Sequence, residues 1–296
     1  MSARSETRLG IVMGVAAYTI WGVLPLFIRA LQALPATTIL AHRVVWSVLI
    51  LIGLAFLIRR WPAALAAICS RRTMLVLTLS TLLIGSNWLI YIHAVNTGHT
   101  LQASLGYFIN PLINVLLGLI FLRERMGRVE AVAVLLAAAG VAVLAIGQGG
   151  IPVIPLALAL TFGLYGLVRK MAGLGPIEGL LIETGLLSPL ALIWLAMMPS
   201  VSDIQNAPPY WLVMASGLVT TVPLLLFAGA ANRMRYSELG LLQYIGPTLQ
   251  LLIAVAIFGE ALLPSDLAAF GLIWSGLALY VAITWHRGRV TPPMPE

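Results

Sequence analysis

The chain has 296 residues, of which 60% are hydrophobic and only 9% are charged. That balance excludes an ordinary water-soluble domain, in which about one residue in four is charged. The net charge of +7 does not indicate nucleic-acid binding, because no polar segment interleaves a basic patch with aromatic residues, and the single cysteine excludes an internal disulfide.

Apolar runs of about 20 residues recur along nearly the whole chain, and a helix of that length crosses a hydrocarbon layer roughly 30 Å thick. Charged residues and Gly/Pro clusters separate the runs. The sequence thus indicates an all-α membrane protein with short loops. We predict ten transmembrane helices, near residues 9–29, 36–58, 73–96, 101–122, 129–147, 152–171, 178–198, 209–232, 238–258 and 266–286.

The distribution of basic residues predicts the orientation, because Lys and Arg in short loops are retained on the cytoplasmic side. With the N-terminus inside, 15 of the 17 basic residues fall in cytoplasmic segments, the exceptions being Arg29 and Arg43. We therefore expect a bacterial inner-membrane protein, surrounded by lipid bilayer, with both termini in the cytoplasm. The small-residue pair Gly10 and Gly14 leaves monomer and homodimer open.

An internal repeat appears when the fourth and ninth spans are aligned at an offset of 136 residues. The residues that this offset pairs include Pro111 with Pro247, Asn114 with Gln250, Glu124 with Glu260 and Gly140 with Gly276. Earlier spans match weakly at other offsets, Trp21 with Tyr165 at 144 and Ser47 with Ser188 at 141. Because each half has five spans, the second half enters the membrane upside down, as in many transporters. The predicted halves are residues 1–147 and 148–296.

No catalytic motif is present. The sequence lacks a zinc-type His-Glu-x-x-His, a nucleophile elbow, a phosphate-binding loop and a dinucleotide fingerprint, and its four histidines are scattered. We therefore expect neither enzyme activity nor a cofactor or metal, with an intramembrane enzyme as a minor alternative.

Polar and aromatic side chains inside the apolar spans are the candidate site residues, because polar groups in hydrocarbon cost free energy and so should face the bundle interior or a water-filled cavity. One interpretation is a cavity for a small amphiphilic molecule, walled by aromatic rings and amides. The other is that the same groups only tie helices together. Recurrence in both halves favours the cavity. The candidates are Tyr18, Trp21, Asn87, Tyr91, Tyr107, Asn110, Asn114, Tyr165, Gln243, Tyr244 and Gln250.

Two prolines stand beside this polar stripe at equivalent places in the two halves. Pro111 and Pro247 each remove a backbone hydrogen bond from a span and permit a bend. We predict that they are bending points for opening and closing, although membrane helices also tolerate proline without such a role.

Two charges lie deep within spans and need partners. Glu183 should lie near Arg169 or Lys170 at the cytoplasmic end of one hairpin, so we predict an ion pair there in preference to a substrate contact. Arg43 has no acidic residue at its depth in the sequence. It has either a structural role, holding backbone carbonyls, or a role in binding an anionic group such as a carboxylate.

Six stretches together resemble the drug/metabolite transporter superfamily, EamA branch, and within it the RarD-like members. They are 41–47 (AHRVVWS), 85–88 (GSNW), 104–112 (SLGYFINPL), 166–170 (GLVRK), 183–184 (ET) and 242–248 (LQYIGPT). The resemblance implies that the first, third, fourth, sixth, eighth and ninth spans line a central route open to one side at a time. It also implies export of amino acids, including aromatic ones, or of other metabolites and drugs; RarD-like proteins are labelled chloramphenicol permeases.

The leading hypothesis is a secondary transporter that exports small amphiphilic metabolites, amino acids in particular. A chloramphenicol-type drug efflux permease is the first alternative, and a structural membrane subunit without transport is the second. The coupling mode stays open. Glu124 and Glu260 stand at span ends, so Glu183 and His93 are the remaining, weak candidates for a proton relay. Downhill export or exchange fits the sequence as well as proton antiport does.

Overall fold

The computed structural model describes residues 3–121, 127–147, 149–172, 174–231, 233 and 242–290, which contain helices and no strand. Apart from a 3₁₀ turn at Val201–Asp203, the regular elements of these residues are α-helices. In chain order they are α1 Ala3–Ala30, α2 Ala36–Leu57, α3 Trp61–Cys69, α4 Arg71–Asn96, α5 Thr100–Phe121, α6 Arg128–Gly147, α7 Val153–Ala172, α8 Pro176–Met197, α9 Tyr210–Ala231, α10 Ile245–Ala256 and α11 Pro264–Val290.

Each predicted span overlaps one helix of the described residues, and the nine-residue α3 is an additional short helix that the sequence did not predict. Six helices are long and apolar enough to cross a bilayer: α1, α2, α4, α5, α8 and α9. The helices α6, α7, α10 and α11 carry shorter apolar stretches. The chain is therefore an all-helical, multi-pass membrane protein. The start of the ninth predicted span, Glu124 and both chain termini lie outside the described residues.

The surface of the helix bundle is apolar and parts of its interior are polar. Leu57, Ile146 and Met197 are 82%, 81% and 73% exposed, whereas Ser80 and Glu183 are fully buried. A water-soluble protein shows the opposite distribution, because large exposed apolar patches are rare on its surface. The outer surface is thus suited to lipid, and the buried polar groups must find partners within the bundle.

Glu260 connects the segment after α10 to the beginning of α5. Its two carboxylate oxygens accept hydrogen bonds from the backbone N–H groups of Thr100 and Leu101, at 2.8 and 2.7 Å. The first N–H groups of a helix have no partner within the helix, and a negative charge there is favoured by the helix dipole. The terminal Glu of the ninth predicted span therefore acts as a cap for the fourth.

Helices from the two predicted halves pack against one another throughout the bundle. α6 lies antiparallel to α11, with Gly140 against Ala269 and Gly276 against Ala133. α2 lies antiparallel to α8, because Arg60, just after α2, pairs with Glu178 in the first turn of α8. Further contacts between the predicted halves join α1 to α9 and α10, α2 to α9, α3 to α8, α4 to α7 and α8, and α5 to α7, α10 and α11.

The α6–α11 contact predicts opposite effects for two glycine substitutions in the same helix. A Cβ on Gly276 would lie 2.7 Å from the carbonyl oxygen of Ala133, whereas a Cβ on Gly271 would have nothing within 4 Å. We expect Gly276→Ala to destabilise the protein by about 1–3 kcal/mol through overpacking. The matched Gly271→Ala should be neutral or stabilising, because alanine favours a helix more than glycine does. Thermal denaturation of both variants in detergent measures the difference; equal midpoints would contradict this helix contact.

Candidate functional site

Asn87 joins three helices in the bundle interior. Its Nδ2 donates to the carbonyl oxygen of Leu158 at 3.0 Å and to Oγ1 of Thr161 at 2.9 Å, both on α7. Its Oδ1 accepts a hydrogen bond from the hydroxyl of Tyr107 on α5 at 3.2 Å. Asn87 is 1% exposed, so these bonds satisfy an amide that has no access to water. The amide therefore holds α4, α5 and α7 in register.

Arg43 lies beside this group, buried between α2, α4 and α9. Its Nε donates to Oγ1 of Thr220 at 3.0 Å, and its guanidinium lies 5.2 Å from the ring centroid of Trp88. A cation over an indole face is a favourable arrangement. Tyr91 lies one helical turn after Trp88 on α4, and its ring is 5.8 Å from that of Tyr107. The predicted residues Arg43, Tyr91 and Tyr107 thus form one cluster.

A chain of aromatic rings extends from this cluster along α7. The ring of Tyr107 is 5.9 Å from Phe162 in an edge-to-face arrangement, and Phe162 is 6.0 Å from Tyr165. Such spacings are favourable for aromatic pairs. The hydroxyl of Tyr165 donates to Oε2 of Glu183 at 3.3 Å. The aromatic chain therefore connects the Arg43 cluster to Glu183.

Glu183 is fully buried and has polar partners on two other helices. Ser80 of α4 donates a short hydrogen bond to its Oε1, and Nε of Arg169 on α7 lies 3.6 Å from the same oxygen. Arg169 also donates to the carbonyl oxygen of Gly175 at 3.2 Å, in the connection between α7 and α8. The arrangement is an ion pair inside the hairpin where the sequence places it, with hydrogen bonds satisfying the carboxylate. The side chain of Lys170 is outside the described residues.

A second aromatic group lies between α1, α9 and α10. The rings of Tyr18 and Trp21 are 5.5 Å apart, and both contact Phe227, at 6.0 and 5.9 Å. Gln250 donates from Nε2 to the carbonyl oxygen of Trp21 at 3.1 Å, and its buried Oε1 has no partner. This amide joins α10 to α1, as Asn87 joins α4 to α7.

The remaining predicted residues lie on α5 or near the start of α10. Asn110 is 1% exposed and its Oδ1 has no partner, whereas Asn114 is exposed. Gln243 is half-buried, and the ring of Tyr244 stacks on Phe108 with centroids 6.4 Å apart. None of these contacts joins them to the Arg43 cluster.

The two prolines differ in their helices. Pro111 lies inside the continuous α5, whereas Pro247 is the third residue of α10, after a turn at residues 243–244. A proline provides no N–H for the carbonyl four residues earlier, which for Pro247 is that of Gln243. Ser104 donates to the carbonyl oxygen of Pro247 at 2.7 Å and so holds this helix start against α5.

Sequence reasoning missed four contributing side chains: Ser80, Trp88, Thr161 and Thr220. Hydroxyl residues are a weak signal in a membrane helix, because they can bond to their own helix backbone, as Thr161 and Thr220 also do. A stronger indication of a polar helix face was available in Ser216 and Thr220, because residues at i and i+4 lie on the same face of a helix. Among the described residues, no group of three or more His, Cys, Asp or Glu side chains could hold a metal ion.

Comparison with known proteins gives consistent relatives. Residues 8–146 match the EamA-like transporter family. Protein RarD of Salmonella typhimurium is 45% identical over 280 residues, 93% of this chain and 95% of the relative. An uncharacterized transporter of Vibrio cholerae is 43% identical, covering 94% and 93%. The chloramphenicol-sensitive protein RarD of Pseudomonas aeruginosa is 31% identical, covering 95% of each chain.

A solved crystal structure shows the same fold at 21% identity, with a TM-score of 0.60 over 93% of this chain and 98% of the other. The RarD relatives, by contrast, are similar enough in sequence and in coverage to establish kinship. This chain therefore belongs to the EamA-like transporters of the drug/metabolite transporter superfamily, in the RarD-like group.

Proposed function

We propose that this protein is a secondary transporter that exports small amphiphilic metabolites, in the first place aromatic and hydrophobic amino acids, by alternating access. The observation that carries the proposal is that amide and aromatic side chains join the two predicted halves inside the bundle. Asn87 connects α4 to α7, and Gln250 connects α10 to α1. In this proposal they line a shared cavity, where rings and amides hold a solute by stacking and hydrogen bonds.

We assign residues 1–147 and 148–296 to two five-helix repeats of opposite orientation. The glycine contacts between α6 and α11 support this assignment. Gly140 faces Ala269 and Gly276 faces Ala133, and the offset of 136 converts each pair into the other. A two-fold axis in the membrane plane relates the halves of an inverted repeat. Such an axis would map each of these two contacts between antiparallel helices onto the other.

The first helix of each half gives similar support with a revised register. A Cβ on Gly22 would meet Leu249, and a Cβ on Gly163 would meet Ile113. Ile113 and Leu249 are equivalent positions of the two halves at the offset of 136. The two glycine contacts are therefore equivalent if Gly22 and Gly163 are also equivalent, which requires an offset of 141 between α1 and α7. The offset of 144 instead pairs Gly22 with Gly166, which has nothing within 4 Å. The contacts therefore favour 141, the offset of the second span.

The unequal prolines fit a transporter captured in one of its states. In an inverted repeat, the two halves exchange conformations as access alternates between the two sides. We assign Pro111 and Pro247 as bending points, with α5 continuous and α10 interrupted in this state. The opposite state is expected to bend α5 at Pro111.

We place the protein in the bacterial inner membrane with both termini in the cytoplasm, as a monomer or homodimer. Its relatives are bacterial, and the basic residues are concentrated at one set of loop ends. In this orientation the ion pairs of Arg60, Arg169 and Arg233 lie toward the cytoplasm. Glu260 and its cap on α5 lie toward the periplasm.

Counterflow in liposomes tests the function. Purified protein should exchange labelled phenylalanine, tryptophan or leucine several-fold faster than protein-free liposomes do. Comparison with and without a pH gradient shows whether protons drive the movement. Cys69, the single and exposed cysteine, reports insertion by its reaction with a membrane-impermeant maleimide. If correctly inserted protein moves no solute of a broad amino-acid panel, the proposed export of amino acids is wrong.

A chloramphenicol-type efflux permease is the second candidate, favoured by the name of the Pseudomonas aeruginosa relative. The same liposomes distinguish the two, because this candidate predicts chloramphenicol flux without amino-acid exchange. In cells it predicts altered resistance on deletion and unchanged amino-acid release.

A further inference from the structure

Arg43 is a buried positive charge in the described part of the chain. The residue is 4% exposed, and among the described Lys and Arg side chains it is the one that is buried. A guanidinium stays protonated in proteins, so it cannot reduce the cost of burial by losing its charge. Buried charges are normally compensated by an opposite charge.

No described carboxylate compensates Arg43. The described acidic side chains that form ion pairs or hydrogen bonds do so with other groups: Glu6 with Arg233, Glu178 with Arg60, Glu183 with Arg169, Asp203 with Ser202, Glu260 with the start of α5, and Asp266 with the backbone of Leu263. Within these residues the guanidinium therefore has a neutral hydroxyl and an indole face as its neighbours, and no anion.

Buried polar atoms without a partner lie on the helices that enclose this charge. Nη1 of Arg43 and the hydroxyl of Tyr91 are both buried and have no hydrogen-bond partner. The facing surfaces of α2 and α9 add further buried polar atoms without a partner. They are Nε1 of Trp46, Oγ of Ser47, Oγ of Ser216 and Oγ1 of Thr221. The interior between α2, α4 and α9 thus holds several buried N–H and O–H groups without a partner and, among the described residues, no anionic acceptor for the guanidinium.

We propose that Arg43 binds the carboxylate of the transported molecule, with the hydroxyl of Tyr91 as a second donor. This inference rests on the proposed transport function and narrows it to small monocarboxylates with an apolar or aromatic substituent. A carboxylate matches the planar N–H pairs of a guanidinium and accepts two hydrogen bonds from it. One buried positive charge balances a single negative charge, so a doubly charged phosphate would carry surplus charge into the membrane interior.

The rings around the guanidinium suit the rest of such a molecule. Trp88 lies against the guanidinium, and Tyr91, one turn further along α4, has its ring 5.8 Å from that of Tyr107. Aromatic faces contact apolar substituents favourably. Thr220 holds Nε, and the terminal nitrogen Nη1, which has no partner, is free to meet the ligand. The carboxylate is therefore held by the charge and the substituent by the rings.

A matched pair of probes tests this assignment. L-Phenylalanine and L-phenylalaninamide differ at the carboxyl group alone, and binding of each to purified protein can be measured by calorimetric titration. Wild-type protein should bind phenylalanine at least about ten-fold tighter than the amide, a factor equal to one strong charged contact. Arg43→Gln should remove this preference by weakening phenylalanine binding about ten-fold. Arg43→Lys, which keeps the charge but not the planar pair of donors, should fall between.

Tyr91→Phe keeps the ring and removes the hydroxyl, so it tests the site if Arg43→Gln does not fold. We expect a several-fold loss of phenylalanine affinity that exceeds any loss for the amide. Equal binding of the two probes by wild-type protein, or unchanged phenylalanine binding in both Arg43→Gln and Tyr91→Phe, overturns the inference. If wild-type protein transports only solutes without a carboxylate, the inference fails and transport stands. If it transports no solute of the panel, the proposed function fails as well.

Discussion

Replacing Glu183 with alanine is expected to destabilise the protein by on the order of 3–5 kcal/mol, the usual effect of removing one member of a buried ion pair. The substitution leaves Arg169 without its negative partner, and its side chain is only 15% exposed. It also deprives the hydroxyls of Ser80 and Tyr165 of their acceptor. The loss should appear as a lower midpoint of thermal denaturation in detergent, or as aggregation on size-exclusion chromatography.

Two further variants are needed to interpret this result. Glu183→Gln keeps one carbonyl acceptor but loses the charge, so its stability should lie between those of wild type and Glu183→Ala. Glu6→Ala is the control, because it breaks the pair between Glu6 and Arg233, whose side chains are 40% and 33% exposed. Pairs exposed to solvent contribute about 0–1 kcal/mol. A Glu183→Ala protein as stable as wild type but inactive in transport would make Glu183 a transport residue and not a structural one.

The helical architecture could be predicted from the sequence because the membrane acts on every residue of a span. A helix in hydrocarbon satisfies its own backbone, so apolar length alone locates it. The proximity of Glu183 to Arg169 followed from the same reasoning, since both lie near one end of neighbouring spans. The short α3 was missed because nine residues are too few to span the membrane. Its apolar residues were therefore interpreted as part of a loop.

The contacts of Arg43 could not be predicted in the same way. Its partners Trp88 and Thr220 come from α4 and α9, and their approach depends on how those helices rotate about their axes. The length of a membrane helix can be derived from the length of its apolar run. The sequence gives only weak information on how the helix is rotated about its axis. For the same reason the sequence alone left the proposed repeat offset of α1 and α7 open, and the contacts of Gly22 and Gly163 favour one value of it.

Replacing Asn87 with leucine is expected to loosen the junction of α4, α5 and α7. The change removes three hydrogen bonds, to Leu158, Thr161 and Tyr107. Polar contacts between membrane helices contribute about 0.6 kcal/mol on average and at most about 1.7, so three of them give roughly 2–5 kcal/mol. Leucine has a similar volume, which limits the effect of a cavity. Asn96→Leu on the same helix is the matched control, because Asn96 makes one long bond of 3.4 Å to Leu34.

Tyr107→Phe separates the two interpretations of this polar group. It removes only the bond to Asn87, so a double-mutant cycle with Asn87→Leu isolates that contact. If the group merely ties helices together, the loss of phenylalanine exchange in each variant should follow the loss of stability. If it lines the cavity, Tyr107→Phe should change the order of preference among phenylalanine, tryptophan and leucine while stability falls by less than about 1.7 kcal/mol. Unchanged preference with unchanged stability in both Asn87→Leu and Tyr107→Phe would remove this group from the site, because neither the helix junction nor the solute would then depend on it.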